Sequence, residues 1–266
     1  MSRLLADVTE MFQEQRQYRE LLFQVTYRDL LLRYKQTAMG FAWAVFMPLV
    51  NTAVFAVIFM RVAPLDVGMP YPLYAFSGLL VWNFFASSLK FAVNSLTSNT
   101  GLVTKVYFPR EVLPVSCVLV STVDFAVASL VLVGMMVYYG VGFHWTVVLL
   151  PIVVLVHLLF TVGIALLLSM ANLFYRDVKY LFEIVISIWM FLSSTVVPVE
   201  RAGGKLAAIM QWNPMLPIID AYRDVLIRGQ VPPLLSFGGA ALVSVLVCGV
   251  SWLMFHRAEF EFAENV

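Results

Sequence analysis

The sequence is dominated by six apolar runs, each as long as a helix that crosses a lipid bilayer. They cover residues 37–60, 73–96, 112–139, 146–171, 178–198 and 234–256. A spanning helix needs about 20 apolar residues, because the hydrocarbon core is about 30 Å thick. The runs are too long and too uniformly apolar for barrel strands, so their backbone must be helical in lipid. We therefore predict an all-α polytopic membrane protein with six transmembrane helices.

The composition supports this fold class. Hydrophobic residues make up 61% of the chain and charged residues only 12%, whereas soluble domains carry roughly 25% charged residues. The first 34 residues are polar and of mixed charge, unlike a secretory signal with its apolar core and cleavage site. Cys117 and Cys248 both lie inside apolar runs, where we expect buried thiols and no disulfide or metal pair.

Lysine and arginine residues in the connections predict the orientation, because cytoplasmic loops are enriched in them. If the N-terminus is cytoplasmic, the inner set is Arg3, Arg16, Arg19, Arg28, Arg33, Lys35, Lys105, Arg110, Arg176, Lys179 and Arg257. The smaller outer set is then Arg61, Arg201, Lys205, Arg223 and Arg228. We therefore expect a cytoplasmic segment 1–36, a six-span domain 37–256 and a cytoplasmic tail 257–266.

The segment before the first apolar run has the pattern of an amphipathic helix. Aromatic and aliphatic residues recur at spacings of three and four on one face, namely Phe23, Tyr27, Leu30, Leu31 and Tyr34. Polar and charged residues hold the other face, namely Glu20, Gln24, Arg28 and Lys35. A basic helix with such a stripe is typical of the headgroup plane. We predict an N-terminal amphipathic interfacial helix.

The outer connection, residues 199–233, predicts two short helices. A Gly-Gly pair at 203–204 opens a short apolar run, and Asn213-Pro214 breaks it because proline cannot continue a helix. The following segment, PIIDAYRDVLIRG, reads as a second short helix with Gly229 as its C-cap. Neither helix is long enough to span. They are either interfacial or re-entrant outer helices, or an ordinary structured external loop.

Motifs for chemistry within the chain are missing from the sequence. The nearest approach to a nucleotide-binding loop, Gly203-Gly204-Lys205-Leu206, lacks the upstream spacing and the Ser or Thr that would hold magnesium. The three histidines, His144, His157 and His256, are scattered over different segments. We expect no catalytic residues, no metal site and no cofactor in this chain, which is therefore not predicted to be an enzyme.

Two charges fall inside apolar runs, Lys90 in the second and Asp124 in the third. Intramembrane charges often mark ion pathways, so Asp124 is a candidate proton or cation site. The alternative is structural, with Asp124 contacting Lys90 or bonding Ser121 and Thr122. We favour the structural interpretation, because a proton-driven pump usually carries more than one buried carboxylate on its pathway.

Six blocks of sequence, in order and over nearly the whole chain, match a known pattern. They are RDLLLRYKQTAMGFAWAVFMPL at 28–49, SGLLVWNFFASSL at 77–89, NTGLVTKVYFPREVLPV at 99–115, VDFAVASLVL at 123–132, NLFYRDVKYL at 172–181 and WNPMLPIIDAYRDVLIRG at 212–229. Together they resemble the membrane permease subunit of bacterial polysaccharide ABC exporters, of the O-antigen and teichoic-acid type.

The resemblance implies a homodimer in the bacterial inner membrane, bound to two cytoplasmic ABC ATPase subunits that hold the ATP and magnesium. The implied substrate is an undecaprenyl-diphosphate-linked polysaccharide, and no nucleic acid is expected as a partner. The implied path lies between the two copies and is lined in part by the first and fifth spans. Candidate path residues are Trp43, Phe46 and Trp189, and candidate residues at the outer pore mouth are Arg201, Lys205, Trp212, Arg223 and Arg228.

The resemblance also requires contact with the ATPase. Candidates on the amphipathic helix are Tyr27, Arg28, Asp29, Arg33, Tyr34 and Lys35. Candidates on the inner connection, residues 99–115, are Lys105, Tyr107, Phe108, Pro109 and Arg110. We expect Tyr107 and Phe108 to be exposed, which suits docking into a cleft better than a plain cytoplasmic turn. Two alternatives remain: a permease of the same architecture for a teichoic acid, drug or lipid, and an ion-coupled secondary transporter that uses Asp124.

Overall fold

The computed structural model describes residues 16–35, 39–40, 42–62, 67–105, 108–199 and 203–265. Over these residues the fold is all-helical, with no strand. We number the helices α1 Arg19–Tyr34, α2 Ala42–Val57, α3 Tyr71–Ala92, α4 Thr100–Lys105, α5 Val112–Tyr138, α6 Leu150–Phe174, α7 Val178–Phe191, α8 Gly204–Gln211, α9 Met215–Arg223 and α10 Leu234–Asn265. Single π-helical turns continue α2 over Ile58–Val62 and α9 over Asp224–Arg228. The predicted all-α class is confirmed.

Four helical stretches in the described residues are long and apolar enough to span a membrane, namely Ala42–Arg61, Val112–Tyr138, Trp145–Phe174 and Leu234–Glu259. A fifth is reached if Tyr71–Ala92 and Thr97–Lys105, which bend by 45°, form one broken span. The predicted count of six is not confirmed. The fifth predicted run is helical only over the 14 residues of α7, or about 21 Å at 1.5 Å per residue.

Helix α3 forms the centre of the bundle. Its residues are buried along nearly its whole length, and it packs against α2, α5 and α6. Trp82 and Phe85 on α3 meet Trp189 of α7, with ring centroids 6.3 and 5.2 Å from that tryptophan. Buried aromatic pairs of this kind contribute about 0.5–1.5 kcal/mol beyond their area. The core therefore holds α7 against α3.

Helices α6 and α10 pack so closely that their backbones touch. A Cβ atom at Gly163 would lie 2.8 Å from the backbone nitrogen of Cys248. Small residues allow this approach in membranes, where van der Waals packing between helices takes the place of the hydrophobic effect. Gly163 thus sets the distance between the two helices.

Helix α1 packs along α5, and its residues divide into two faces. Val25 is buried, Asp29 accepts a hydrogen bond from Ser116 of α5 at 3.3 Å, and Arg33 also bonds to α5. On the opposite face of α1, Phe23, Tyr27 and Leu31 are exposed. A helix is present at the predicted place, whereas its amphipathic, interfacial character stays a prediction. One residue differs from the predicted division into faces: Tyr34, predicted on the apolar stripe, bonds to α5.

The outer connection contains the two short helices, and they are separated at the predicted break. Asn213 lies just after the C-cap of α8 and bonds to the segment after α7. Its amide nitrogen donates to the Leu192 carbonyl at 2.9 Å and to Ser193 Oγ at 2.8 Å. These bonds satisfy polar groups where the chain leaves α7. Gly229, with φ +66°, caps the C-terminal side as predicted.

Candidate functional site

Asp124 is the centre of a polar cluster that joins three helices. Arg33 and Tyr34, at the end of α1, each donate a hydrogen bond to one of its two carboxylate oxygens. The Arg33 guanidinium also lies 3.9 Å from the centre of the Phe91 ring on α3. The cluster therefore connects α1, the helix predicted to contact the ATPase, directly to α3 and α5.

The predicted partners of Asp124 were wrong. Its carboxylate is bonded to Arg33 and Tyr34 instead of Lys90, and Thr122 donates to the Val118 carbonyl of its own helix at 2.9 Å. No local pattern indicates this pairing, because Arg33 and Asp124 are 91 positions apart. The structural interpretation of Asp124 gains a specific partner. Its role in transport stays a prediction.

A second set of bonds ties α1 to the inner connection. Arg28 pairs with Asp29 at 2.8 Å and donates to the Asn99 side chain at 3.2 Å. Most residues of α1 that were predicted to contact the ATPase therefore form bonds within the chain. Two are free to meet a partner on this surface, since Tyr27 is 52% exposed and Lys35 is exposed at the helix end.

The inner connection is largely covered. Phe108, predicted to be exposed, is only 4% exposed and packs in a cluster that includes Phe255 and Phe262 of α10. Pro109 is also buried. The expectation for Phe108 was wrong because α10 continues to Asn265, over residues that had been assigned to a cytoplasmic tail.

The polar groups of the inner connection are also bound. Arg110 donates from its guanidinium to the carbonyls of Glu259 and Val103, and its backbone N–H donates to Glu259 Oε1 at 3.0 Å. Lys105, at the end of α4, is exposed. Tyr107 lies outside the described residues. Among the described residues of this segment, Lys105 is thus the predicted docking residue that is exposed.

The three candidate path aromatics do not come together. Trp43 and Phe46 lie on α2, are 38% and 45% exposed, and contact each other edge to face at 5.7 Å. Trp189 is half-buried, and its indole N–H donates to the Asn213 side chain at 2.9 Å. Trp189 therefore supports the fold on the side where α7 meets the outer connection. A path role for the pair on α2 is compatible with their exposure.

A cavity of about 380 Å³ lies beside the Asp124 cluster, between α2, α3 and α5. Polar side chains on its wall include Arg33, Asn51, Asn83 and Asp124, and aromatic ones include Trp43, Phe84 and Phe91. Mixed polar and apolar lining is typical of sites that accept small amphiphilic groups.

Arg223 does not face a pore mouth. Its side chain is completely buried and donates to the carbonyls of Ser194 and Thr195 at 2.9 Å each and of Tyr74 at 3.1 Å. It also pairs with Asp220 at 3.1 Å. Burial raises the pKa of the Asp220 carboxyl, and Arg223 opposes that rise. The prediction of an outward-facing Arg223 was wrong, because the turn after α7 presents carbonyls that need a buried donor.

Gly78 makes room for this arrangement. A Cβ atom there would lie 2.3 Å from the Thr195 carbonyl oxygen and 2.5 Å from the Arg223 guanidinium.

Of the other outer candidates, Arg228 pairs with Asp224 at 2.8 Å. Lys205 is exposed, Trp212 is 90% exposed, and Arg201 lies outside the described residues.

Comparison with known proteins adds several relatives of similar length. The chain is 28% identical to an O-antigen export system permease protein RfbA of Myxococcus xanthus, over 94% of this chain and 96% of the relative. It is 28% identical to a protein of the same name from Klebsiella pneumoniae, over 92% and 94%. It is 20% identical to the polysialic acid transport protein KpsM of Escherichia coli, over 87% and 91%.

The family comparison covers the described helices from α1 to α9 and leaves out α10. Residues 20–227, from α1 to the π turn that follows α9, match the ABC-2 type transporter family. The match includes the Asp124 cluster, the inner connection and the outer helices. It spans far more than half of the chain, and it agrees with an all-helical fold that has several membrane-spanning segments. The chain belongs to the family of ABC-2 type transporters.

Proposed function

We propose that this chain is the membrane permease subunit of an ABC exporter that moves a lipid-linked polysaccharide of the O-antigen kind across the bacterial inner membrane. The observation that carries the proposal is the similarity, over more than nine-tenths of the chain, to relatives named as O-antigen export permeases. A relative named for polysialic acid transport also points to a polysaccharide. The proposed lipid carrier is undecaprenyl diphosphate, which is implied by the resemblance of the sequence blocks to polysaccharide ABC exporters.

The energy source in this proposal is a pair of separate cytoplasmic ATPase subunits that bind ATP and magnesium. Exposed Tyr27, Lys35 and Lys105 are the proposed contacts. A push on α1 would reach α5 through Arg33 and Tyr34, because both bind Asp124. The bonds within the chain thus give the docking helix a direct mechanical connection to the transmembrane bundle. Both termini are cytoplasmic in this arrangement.

The path in this proposal lies between two copies of the chain. Helix α2 carries an exposed apolar surface that includes Phe46, Met47 and Val54, and α7 carries another that includes Ile184 and Ile188. Trp43 and Phe46 expose aromatic faces, which contact the apolar faces of sugar rings without fixing one sugar in place. Such contacts suit a moving polymer better than a site that must recognise one small solute.

A deletion strain tests the proposal. Loss of the chain should remove the surface glycan while lipid-linked polymer accumulates inside the cell, and the wild-type gene should restore export. Normal surface glycan in the deletion strain would refute the proposed function.

Two alternatives predict other results. A permease for a teichoic acid, drug or lipid predicts loss of that compound from the surface or medium while surface polysaccharide is unchanged. An ion-coupled transporter predicts transport without an ATPase. The bonds of Asp124 to Arg33 and Tyr34 argue against ion coupling, because both carboxylate oxygens are already engaged.

A further inference from the structure

Two lysines line one small cavity at the inner end of the bundle. Lys90 stands in the last turn of α3 and Lys179 in the first turn of α7. They share a cavity of about 180 Å³ with Phe91, Asn94 and Glu183. Within the part of the chain that the structure describes, neither lysine is in an ion pair. Lys90 is exposed, and Lys179 is half-buried with its ammonium nitrogen 4.8 Å from the centre of the Tyr180 ring. Both positive charges can therefore be reached by an anionic ligand.

Buried Asn172 holds the two lysines at the same place. Its side chain is 2% exposed. The amide nitrogen donates to the Val93 carbonyl at 2.8 Å, just after α3, and the amide oxygen accepts from the Lys179 backbone N–H at 3.3 Å. One side chain therefore joins the end of α3 to the start of α7. The helix ends that carry the two lysines are thus fixed relative to each other.

The surroundings match a phosphate group with sugars on one side. Lys90, Phe91 and Asn94 also line an adjoining cavity of about 350 Å³, whose wall includes the hydroxyl and amide groups of Ser95, Ser98 and Asn99. The other charges there, Asp29 and Arg33, are already paired with Arg28 and Asp124. The adjoining space thus offers hydrogen-bonding groups without a second unpaired charge.

An apolar track leaves the same cavity on the other side. Beyond Lys179, α7 exposes Leu181, Ile184, Val185 and Ile188, each more than half exposed. These residues recur at spacings of three, one and three, so they form one face of the helix. The face begins within one turn of Lys179 and continues along the rest of α7.

From this arrangement we infer that Lys90 and Lys179 form a cytoplasmic-side site for the diphosphate of a prenyl-linked glycan, with the prenyl chain along the exposed face of α7. The inference rests on the proposed function. A lysine ammonium donates up to three hydrogen bonds and binds phosphate as a point charge. The lipid carrier has the required order of parts: an apolar chain, a diphosphate and a hydroxyl-rich sugar.

Native mass spectrometry of the full-length chain in neutral detergent tests the site. The probes are undecaprenyl diphosphate, undecaprenol, which lacks phosphate, and phosphatidylglycerol, an ordinary anionic phospholipid. We expect Lys90→Gln and Lys179→Gln each to raise the Kd for undecaprenyl diphosphate by about tenfold, the effect of losing about one charge-assisted hydrogen bond. Arg176→Gln, an exposed neighbour outside the cavity, removes the same charge as a control and should not change the Kd. Lys90→Arg should keep binding.

The outcomes separate the possible ligands. Unchanged binding of undecaprenyl diphosphate in the Lys90→Gln/Lys179→Gln double variant would overturn the site. Equal competition by phosphatidylglycerol would also overturn it, because the cavity would then hold an ordinary phospholipid headgroup. Surface glycan in the complemented deletion strain is measured in parallel. Normal export with the double variant counts against the site alone, whereas failure of the wild-type gene to restore export counts against the proposed function.

Discussion

The bond between Arg33 and Asp124 gives the most direct test of how α1 is connected to the bundle. The two side chains are only 17% and 21% exposed, so solvent screens their attraction less than at an open surface. Removing one partner of a buried pair costs about 3–5 kcal/mol. Because this pair retains some contact with solvent, we expect Asp124→Asn and Arg33→Gln each to lower the free energy of unfolding by about 2–3 kcal/mol.

The double variant Arg33→Gln/Asp124→Asn makes the reasoning quantitative. It removes both charges, so its cost should be smaller than the sum of the single costs by about 1.5–2.5 kcal/mol, which is the coupling energy of the pair. Chemical denaturation of the purified chain in detergent measures all four proteins. Glu20→Gln, the same class of change at an exposed position on α1, is the control and should be neutral.

Two results would contradict this account. A coupling energy near zero would show that the pair does not stabilise the fold. A second result concerns transport: if Asp124→Asn abolished export while assembly and ATP hydrolysis were intact, Asp124 would be a transport residue and the structural interpretation would be refuted. We expect export to fall only as far as the amount of assembled complex falls.

Four further changes follow from the packing. Arg223→Lys should destabilise the chain by about 2–4 kcal/mol, because lysine leaves carbonyls of the turn after α7 without donors, and Arg228→Lys should have little effect in the same thermal-shift assay. Gly163→Val should cost about 1–3 kcal/mol by forcing α6 and α10 apart; a wild-type melting temperature would contradict the contact with Cys248. Phe108→Ala should cost about 3–5 kcal/mol, so loss of export in this variant would accompany loss of protein. Tyr27→Ala with Lys35→Ala should leave stability unchanged and weaken pull-down of the ATPase, and unaltered complex formation would exclude this docking surface.

The sequence was sufficient for features that depend on local chemistry. The apolar runs predicted the helices, and Asn213-Pro214 and Gly229 predicted where the outer helices break and end. Local pattern also predicted α1 as a helix, although packing against α5 decided which residues face inwards. These features depend on residues close together in the chain, so one sequence carries their signal.

The long-range pairings could not be obtained in the same way. Arg33 and Asp124 are 91 positions apart, and Arg223 lies 149 positions from Tyr74. A basic residue in a loop is predicted to be solvated or interfacial as long as its hydrogen-bond acceptor is not known. Two of the carbonyls that bind Arg223, those of Ser194 and Thr195, lie in a turn within a run predicted to be one continuous span. The role of each candidate residue in docking or transport stays a prediction.

The covering of the inner connection by α10 also imposes an order on biosynthesis. Arg110 and its partner Glu259 are separated by 149 positions, and a ribosome adds about 5–20 residues per second. Phe108 and Arg110 must therefore wait about 7–30 s after their own synthesis before their partners on α10 are made. During this interval Phe108 and Arg110 lack their contacts with α10. The covering of the inner connection, and with it the final shape of the candidate docking surface, thus follows the synthesis of α10.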